Sequence, residues 1–297
     1  MNYVLTGGAG HITKPLAEKL LEKGHSVTII GRNANHLNDL VKKGAKAATG
    51  SIEDPEFLAR TFSGADAVYT MVPPNFAAQD WKKWIAQIGE NYAAAIREAG
   101  VKYVVNLSSI GAHRPEGAGP VSGLHFVEEA LNRLSSVNVR HLRPAFFFDN
   151  LLATVGMVKN AGIIGNNFGG DNFKLALADT DDISDAAFEA LSRLDFKGHS
   201  YRYISSDERQ TNEIAKVLGD AVGKNGLPWV VFSNSDAFNG LVQAGLPEEV
   251  AKNYAEMGNA FRIGAMLEDY WKHRPEPNGT VKLEDFAKKF AATYNAQ

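Results

Sequence analysis

The stretch from Tyr3 to Thr13 constrains the fold most. Tyr3-Val4-Leu5 is a short apolar run that ends in Thr6-Gly7-Gly8-Ala9-Gly10. An amphipathic segment follows at once, with Leu16, Ala17, Leu20 and Leu21 on one face. This order is strand, tight turn, helix. Gly7 can take backbone angles that a side chain forbids, and Gly8 or Gly10 lets a bulky anion approach the main chain. The free N–H groups at the helix start, with the positive end of its dipole, then hold a phosphate. The spacing is Gly7-x-x-Gly10-x-x-Thr13, with Thr where a third glycine often lies. A glycine turn between a strand and a helix is the setting of a dinucleotide site. An ordinary glycine-rich turn is the alternative.

Composition narrows the class. Of 297 residues, 44% are apolar and 22% charged, enough for a full core in one large domain or two lobes. The formal net charge is −3 and no basic cluster stands out, so direct nucleic-acid binding is not expected. The absence of cysteine excludes disulfides, thiolate catalysis and Cys-ligated metal, and it fits a reducing compartment. No apolar run reaches membrane-spanning length and no leader precedes the first strand; a cytoplasmic protein without a membrane partner is expected.

Strand and helix patterns alternate through the first half. Strands are expected at Ser26–Ile30, Ala45–Ala48, Ala65–Val72, Val101–Leu107 and Val137–Leu142, with helices between them. One helix is capped by Asp54-Pro55-Glu56, a long one runs from Asp80 to Ala99, and another from about Gly123 to Leu134. The fold class is therefore α/β, a doubly wound parallel Rossmann sheet. Such sheets bind ligands at the carboxyl ends of their strands, where Gly7 to Gly10, Arg32, Met71 to Pro73, Ser108-Ser109 and the residues after Arg143 should meet. Past Pro144 the pattern changes. A helix is expected near Asp149 to Lys159, then a Gly/Asn-rich loop from Gly162 to Asn172. Asp179 to Leu194 and the strand Tyr201–Ile204 return to the sheet; beyond Thr211 the chain reads as mostly helical, apart from a strand at Trp229 to Phe232. The expected division is residues 1–149 plus about 179–206 for the nucleotide, and about 150–178 plus 207–297 for a smaller, mostly helical lobe.

The second strand ends Gly31-Arg32 with no acid. An acid there would hold the ribose hydroxyls of NAD, whereas an arginine accommodates the 2′-phosphate of NADP. NADP(H) is thus preferred over NAD(H), with Asn33 and His36 available to the phosphate or adenine.

Thr6-Gly7-Gly8-Ala9-Gly10 with Arg32, Gly64-Ala65-Asp66-Ala67-Val68, Leu107-Ser108-Ser109 and Leu142-Arg143-Pro144 together resemble the atypical short-chain dehydrogenases/reductases. The segment Gly123 to Leu131 and the C-terminal stretches Glu213-Ile214-Ala215, Ala244-Gly245-Leu246-Pro247 and Leu283-Glu284-Asp285-Phe286-Ala287 are similar to the NmrA-like group. That likeness spans nearly the whole chain. It implies either an NADPH-dependent reductase of quinones, azo dyes or triphenylmethane dyes, or a non-catalytic NADP(H)-binding redox sensor.

One departure bears on chemistry. The superfamily's Tyr-x-x-x-Lys pair is missing, because no tyrosine has Lys four residues later. His125 stands where related groups often place Lys or His, and it is the candidate for the nicotinamide ribose or for proton transfer. The resemblance puts Thr6, Gly7, Gly10, His11, Ile12, Arg32, Asn33, Met71, Val72, Pro73, Ser108, Ser109, His125, Pro144 and Phe146 along the cofactor. Phe147, Phe148, Asn150 and Trp229 fall to the substrate side, where aromatic faces suit a flat apolar acceptor. At least one of the three phenylalanines is expected in the core between lobes. Asp179, Asp181 and Asp182 read as a helix cap, Glu128-Glu129 as a salt-bridging pair, and His113, His141 and His273 as surface or structural residues. The expected partner is a small-molecule acceptor, with a homodimer or a regulatory protein partner left open.

Overall fold

The computed structural model describes residues 1–275 and 279–296. The chain opens with β1 (Asn2–Leu5), α1 (Thr13–Glu22), β2 (Ser26–Gly31), α2 (Asn38–Lys42), β3 (Lys46–Thr49), α3 (Pro55–Phe62), β4 (Ala67–Thr70), α4 (Trp81–Ala99), β5 (Tyr103–Leu107), α5 (Pro120–Asn132) and β6 (Asn138–Pro144). It goes on through β7 (Phe146–Phe147), α6 (Val155–Ala161), β8 (Ile164–Asn166), β9 (Lys174–Ala178), α7 (Thr180–Arg193), β10 (His199–Ile204), β11 (Asp207–Gln210) and α8 (Thr211–Ala221). The last elements are β12 (Trp229–Val231), α9 (Asn234–Gln243), α10 (Glu248–Arg262), α11 (Glu268–Lys272) and α12 (Leu283–Ala296).

Seven strands pair in parallel in the order β10-β6-β5-β4-β1-β2-β3. Helices cover both faces, which is why the central strands are near-continuous apolar runs; every residue of β4 is buried. On one face Tyr3, Leu16, Leu20 and Leu191 join a core that runs unbroken to Phe148, Phe168, Phe261 and Phe290. On the other, Leu58, Phe62, Ile88, Tyr92, Ile96 and Leu131 fill the space under α3, α4 and α5.

Capping fixes where several helices begin. The Asp54, Asp80 and Asp179 carboxylates accept the amides of Phe57, Lys83 and Asp181 at 2.9, 3.1 and 2.8 Å. Pro120 opens α5 at the first helical position, three residues before the expected start at Gly123. The helix expected from Asp149 is a 3₁₀ turn over Phe148–Thr154 followed by α6. The Gly162–Asn172 stretch holds β8, which pairs in parallel with β12, the strand expected at Trp229. A three-stranded sheet in the order β11-β9-β7 was not foreseen; its strands are 4, 5 and 2 residues long.

The chain thus leaves the large sheet after β6, returns with α7 and β10, and leaves again at β11. Among the described residues no helix is long and apolar enough to cross a membrane.

Candidate functional site

The glycine turn joins β1 to α1. Gly7 has φ +97°, and a Cβ there would lie 2.6 Å from Thr13 Oγ1 and 2.9 Å from Met71 Cγ. Thr13, in place of a third glycine, is buried under the turn and donates its hydroxyl to Thr6 O at 3.1 Å. Thr6 is itself fully buried, and its hydroxyl accepts the Met71 amide at 2.8 Å, tying the ends of β1 and β4 together. Ile12 packs into the core. No side chain caps α1 and no acid lies in its first turn, which suits that helix start to an anion. His11 reaches outward, its Nδ1 3.1 Å from Asp149 Oδ2, and Asp149 accepts Lys289 Nζ at 2.6 Å.

Arg32 and Asn33 are exposed at the end of β2, the sheet neighbour of β1. The Asn33 carbonyl oxygen accepts the Asn35 amide at 2.9 Å and so shapes the turn that follows.

A cleft of about 220 Å³ opens beyond β4, β5 and β6. Of the expected residues, Val72, Pro73, Ser109, Phe146, Phe147 and Asn150 line it. Trp81, Ile85, Val121, Leu124, Tyr254, Met257, Phe261 and Met266 are among the others that line it and were not expected. Tyr254, Met257 and Phe261 recur at helical spacing along α10, so the stripe was visible in the sequence. Which wall it would face was not. No charged side chain lines the cleft among the described residues.

Phe148, Trp229, His125 and Ser108 do not line the cleft. Phe148 is fully buried and stacks on Phe286, with centroids 5.1 Å apart and planes 13° from parallel. The backbone turns into 3₁₀ geometry at this residue, which rotates its ring away from those of Phe146 and Phe147. Trp229 is buried and donates Nε1–H to Phe168 O at 2.9 Å, inside the core under β12. His125 does not line the cleft: its Nδ1 lies 2.9 Å from Ala112 O and its Nε2 3.5 Å from Glu129 Oε1, while Val121 and Leu124 take the cleft side of α5. Ser108 is buried and donates its hydroxyl to Glu128 Oε1 at 2.5 Å; Ser109 lines the cleft and donates to Ile110 O at 2.9 Å. Met71 is half-buried beside Gly7, and Pro144 is buried at the end of β6.

Behind Ser108 sits a buried ion pair. Arg143 donates to both oxygens of Glu128, Nε at 2.9 Å and Nη2 at 2.6 Å. Burial pushes the Glu128 carboxyl up, but the Arg143 guanidinium, with help from the Ser108 hydroxyl, holds it below the usual carboxylate range. Arg143 Nη1 also lies 3.5 Å from Asp269 Oδ2, which accepts the Tyr203 hydroxyl at 2.6 Å. Next to this pair, His141 is buried between Asn106 and Asn132, and burial holds its pKa down to about 4. Because Asn132 Oδ1 accepts at 3.0 Å, the ring proton is on Nε2, and Nδ1 accepts from Asn106 Nδ2 at 3.1 Å. Among the described residues no group of three or more His, Asp or Glu side chains is arranged to hold a metal ion.

Residues 7–154 match the NAD(P)H-binding family. The (4-alkanoyl-5-oxo-2,5-dihydrofuran-3-yl)methyl phosphate reductase of Streptomyces griseus is 26% identical over 267 residues, 88% of each chain. The NADPH-dependent quinone oxidoreductase of Escherichia coli, solved with NADPH, superposes with a TM-score of 0.81 at 20% identity, covering 97% of this chain and 99% of that one. NmrA, a negative transcriptional regulator solved with NADP, superposes with a TM-score of 0.72 at 13% identity, covering 98% and 91%. With the glycine turn, the seven-stranded parallel sheet and these matches together, residues 7–154 are an NAD(P)H-binding domain, and the chain shares the Rossmann-like fold of the quinone oxidoreductase and NmrA structures.

Proposed function

We propose that the protein is an NADPH-dependent oxidoreductase that reduces a flat, apolar acceptor of quinone or azo-dye type. The observation that carries this reading is the cleft at the strand ends, walled by Phe146, Phe147, Phe261, Trp81 and Tyr254 and lined by no charged residue among those described. A sensor needs no acceptor pocket beside its cofactor, so the cleft favours an enzyme over a redox sensor.

In this reading residues 1–149 and 179–206 form the nucleotide-binding body, and 150–178 with 207–297 the lobe on the acceptor side. The Gly7–Ile12 turn and the start of α1 hold the pyrophosphate, and Arg32 with Asn33 meets the 2′-phosphate, which is why NADP(H) is preferred over NAD(H). Met71, Val72 and Pro73 flank the adenosine and ribose, while Ser109, Pro144 and Phe146 stand near the nicotinamide. The bound cofactor supplies a hydride. The acceptor gains that hydride and takes its proton from water, so no strong general acid is required of the protein. The chain's own contribution is to align two flat rings and exclude water between them.

The test is to incubate pure protein with NADPH and a panel of quinones and azo dyes, following loss of the reduced nicotinamide absorbance. Turnover with at least one acceptor, falling when NADH replaces NADPH, is the expected result. Tight NADPH binding with no acceptor reduced would reverse the ranking in favour of a sensor.

A further inference from the structure

Four side chains lining the cleft carry a polar hydrogen: Trp81, Ser109, Asn150 and Tyr254. Ser109 already donates to Ile110 O. The Trp81 indole N–H is buried beneath the surface and has no hydrogen-bond partner among the described residues. Asn150 is exposed to solvent. Tyr254 is half-buried in the wall, and its hydroxyl makes no hydrogen bond to any described residue; burial alone raises its pKa, so the phenol keeps its proton at neutral pH.

The ring is also held firmly. Its helix, α10, is clamped to the start of α4: Glu249 Oε1 accepts the Trp81 amide at 3.1 Å, and Glu256 accepts Lys82 Nζ at 2.5 Å. The Trp81 and Tyr254 rings meet edge to face, 5.5 Å apart at 82°. On its other side α10 presses on the turn before α5. Gly119 has φ +59°, and a Cβ there would fall 2.2 Å from the carbonyl oxygen of Asn253, the residue before Tyr254. Only glycine fits that approach. A hydroxyl held this way on a helix is pre-organised for a ligand in the cleft.

We propose that Tyr254 donates a hydrogen bond to the oxygen of a carbonyl-bearing acceptor, which makes a quinone-type carbonyl compound the class this cleft selects. The proposal rests on the oxidoreductase reading above. As hydride reaches the conjugated ring, negative charge develops on the carbonyl oxygen, and a fixed phenol donor stabilises it. The second lobe thereby supplies the tyrosine hydroxyl that α5 lacks.

The variant is Tyr254→Phe, which keeps the ring and its packing. It is compared with the unaltered protein in two ways. One is kcat/KM with a benzoquinone and with a triarylmethyl dye cation, which accepts hydride at carbon and has no carbonyl oxygen. The other is the dissociation constant of the quinone in the presence of NADP⁺, read from quenching of tryptophan fluorescence. The expected result is roughly a tenfold loss of kcat/KM with the quinone, less than about twofold with the dye, and roughly tenfold weaker quinone binding. Equal losses with both acceptors would reduce Tyr254 to a packing residue and overturn the proposal, as would unchanged quinone turnover and binding. Where an acceptor is not reduced at all, the binding arm decides. Tyr254-dependent quinone binding without turnover keeps the donor and removes the oxidoreductase reading, whereas no quinone binding by the unaltered protein removes both.

Discussion

Arg32 and His125 have opposite prospects. Arg32 is exposed beside the strand end that carries the glycine turn. A charge-assisted contact to a phosphate is worth roughly 1.5–3 kcal/mol. Arg32→Ala should therefore weaken NADPH binding about ten- to hundredfold and NADH binding less than about threefold, measured by titration of the reduced nicotinamide fluorescence. Equal losses for both cofactors would remove the 2′-phosphate role. His125 is turned toward Ala112 O and Glu129. His125→Ala should leave turnover within about threefold of the unaltered protein. A collapse of activity would return the imidazole to the chemistry. The two residues also show what can be read from local sequence. Arg32 follows directly from where β2 stops, so its position was legible. His125 was placed by the resemblance to related groups, which does not fix the side of α5 that meets the cleft.

At the scale of elements, strands and caps follow from short-range rules, and the expectations made from them hold for β1 to β6, α3, α4, α7 and β12. What was not legible is short or tertiary. β7 and β8 have two and three residues, too few to show a period, and β9 and β11 exist because they pair with each other. Phe146-Phe147-Phe148 reads as one aromatic run, yet a change of backbone geometry within it sends two rings to the cleft and the third to the core. β6 carries a prediction of its own through His141. Its folded pKa of about 4 lies below the usual value of 6.5, so the neutral ring is the stabilising form. That contribution is complete above pH 6.5 and is lost as pH falls toward 4, roughly 3 kcal/mol over the interval. Denaturant unfolding at successive pH values should show the loss in the unaltered protein and a shallower acid slope in His141→Gln. Parallel slopes would mean that the ring is protonated without cost.

For the molecule as a whole, the apolar core is continuous from α1 and α7 to the aromatic cluster around Phe168 and Phe261. The Glu128–Arg143–Asp269 chain joins α5, β6 and α11, and Asp149 joins the glycine turn to α12. A ligand held by the turn is thus coupled to the C-terminal elements. Thermal unfolding should be one transition, moved upward as a unit by saturating NADP⁺. Two transitions, with only one of them shifted, would show that the halves melt separately.

The path of the chain, out of the large sheet after β6, back for α7 and β10 and out again, has a consequence for any attempt to dissect the gene. No single cut in the sequence separates the large sheet from the elements that leave it after β6 and β10. A fragment ending near Asp149 would lack the edge strand β10 and the helix that covers Leu20 and Tyr3, leaving β6 open to pair with other chains. The lining of the cleft is therefore best altered by changing residues of α10 in place, because exchanging the C-terminal half with that of a relative would carry off only part of one structural unit and strand the rest.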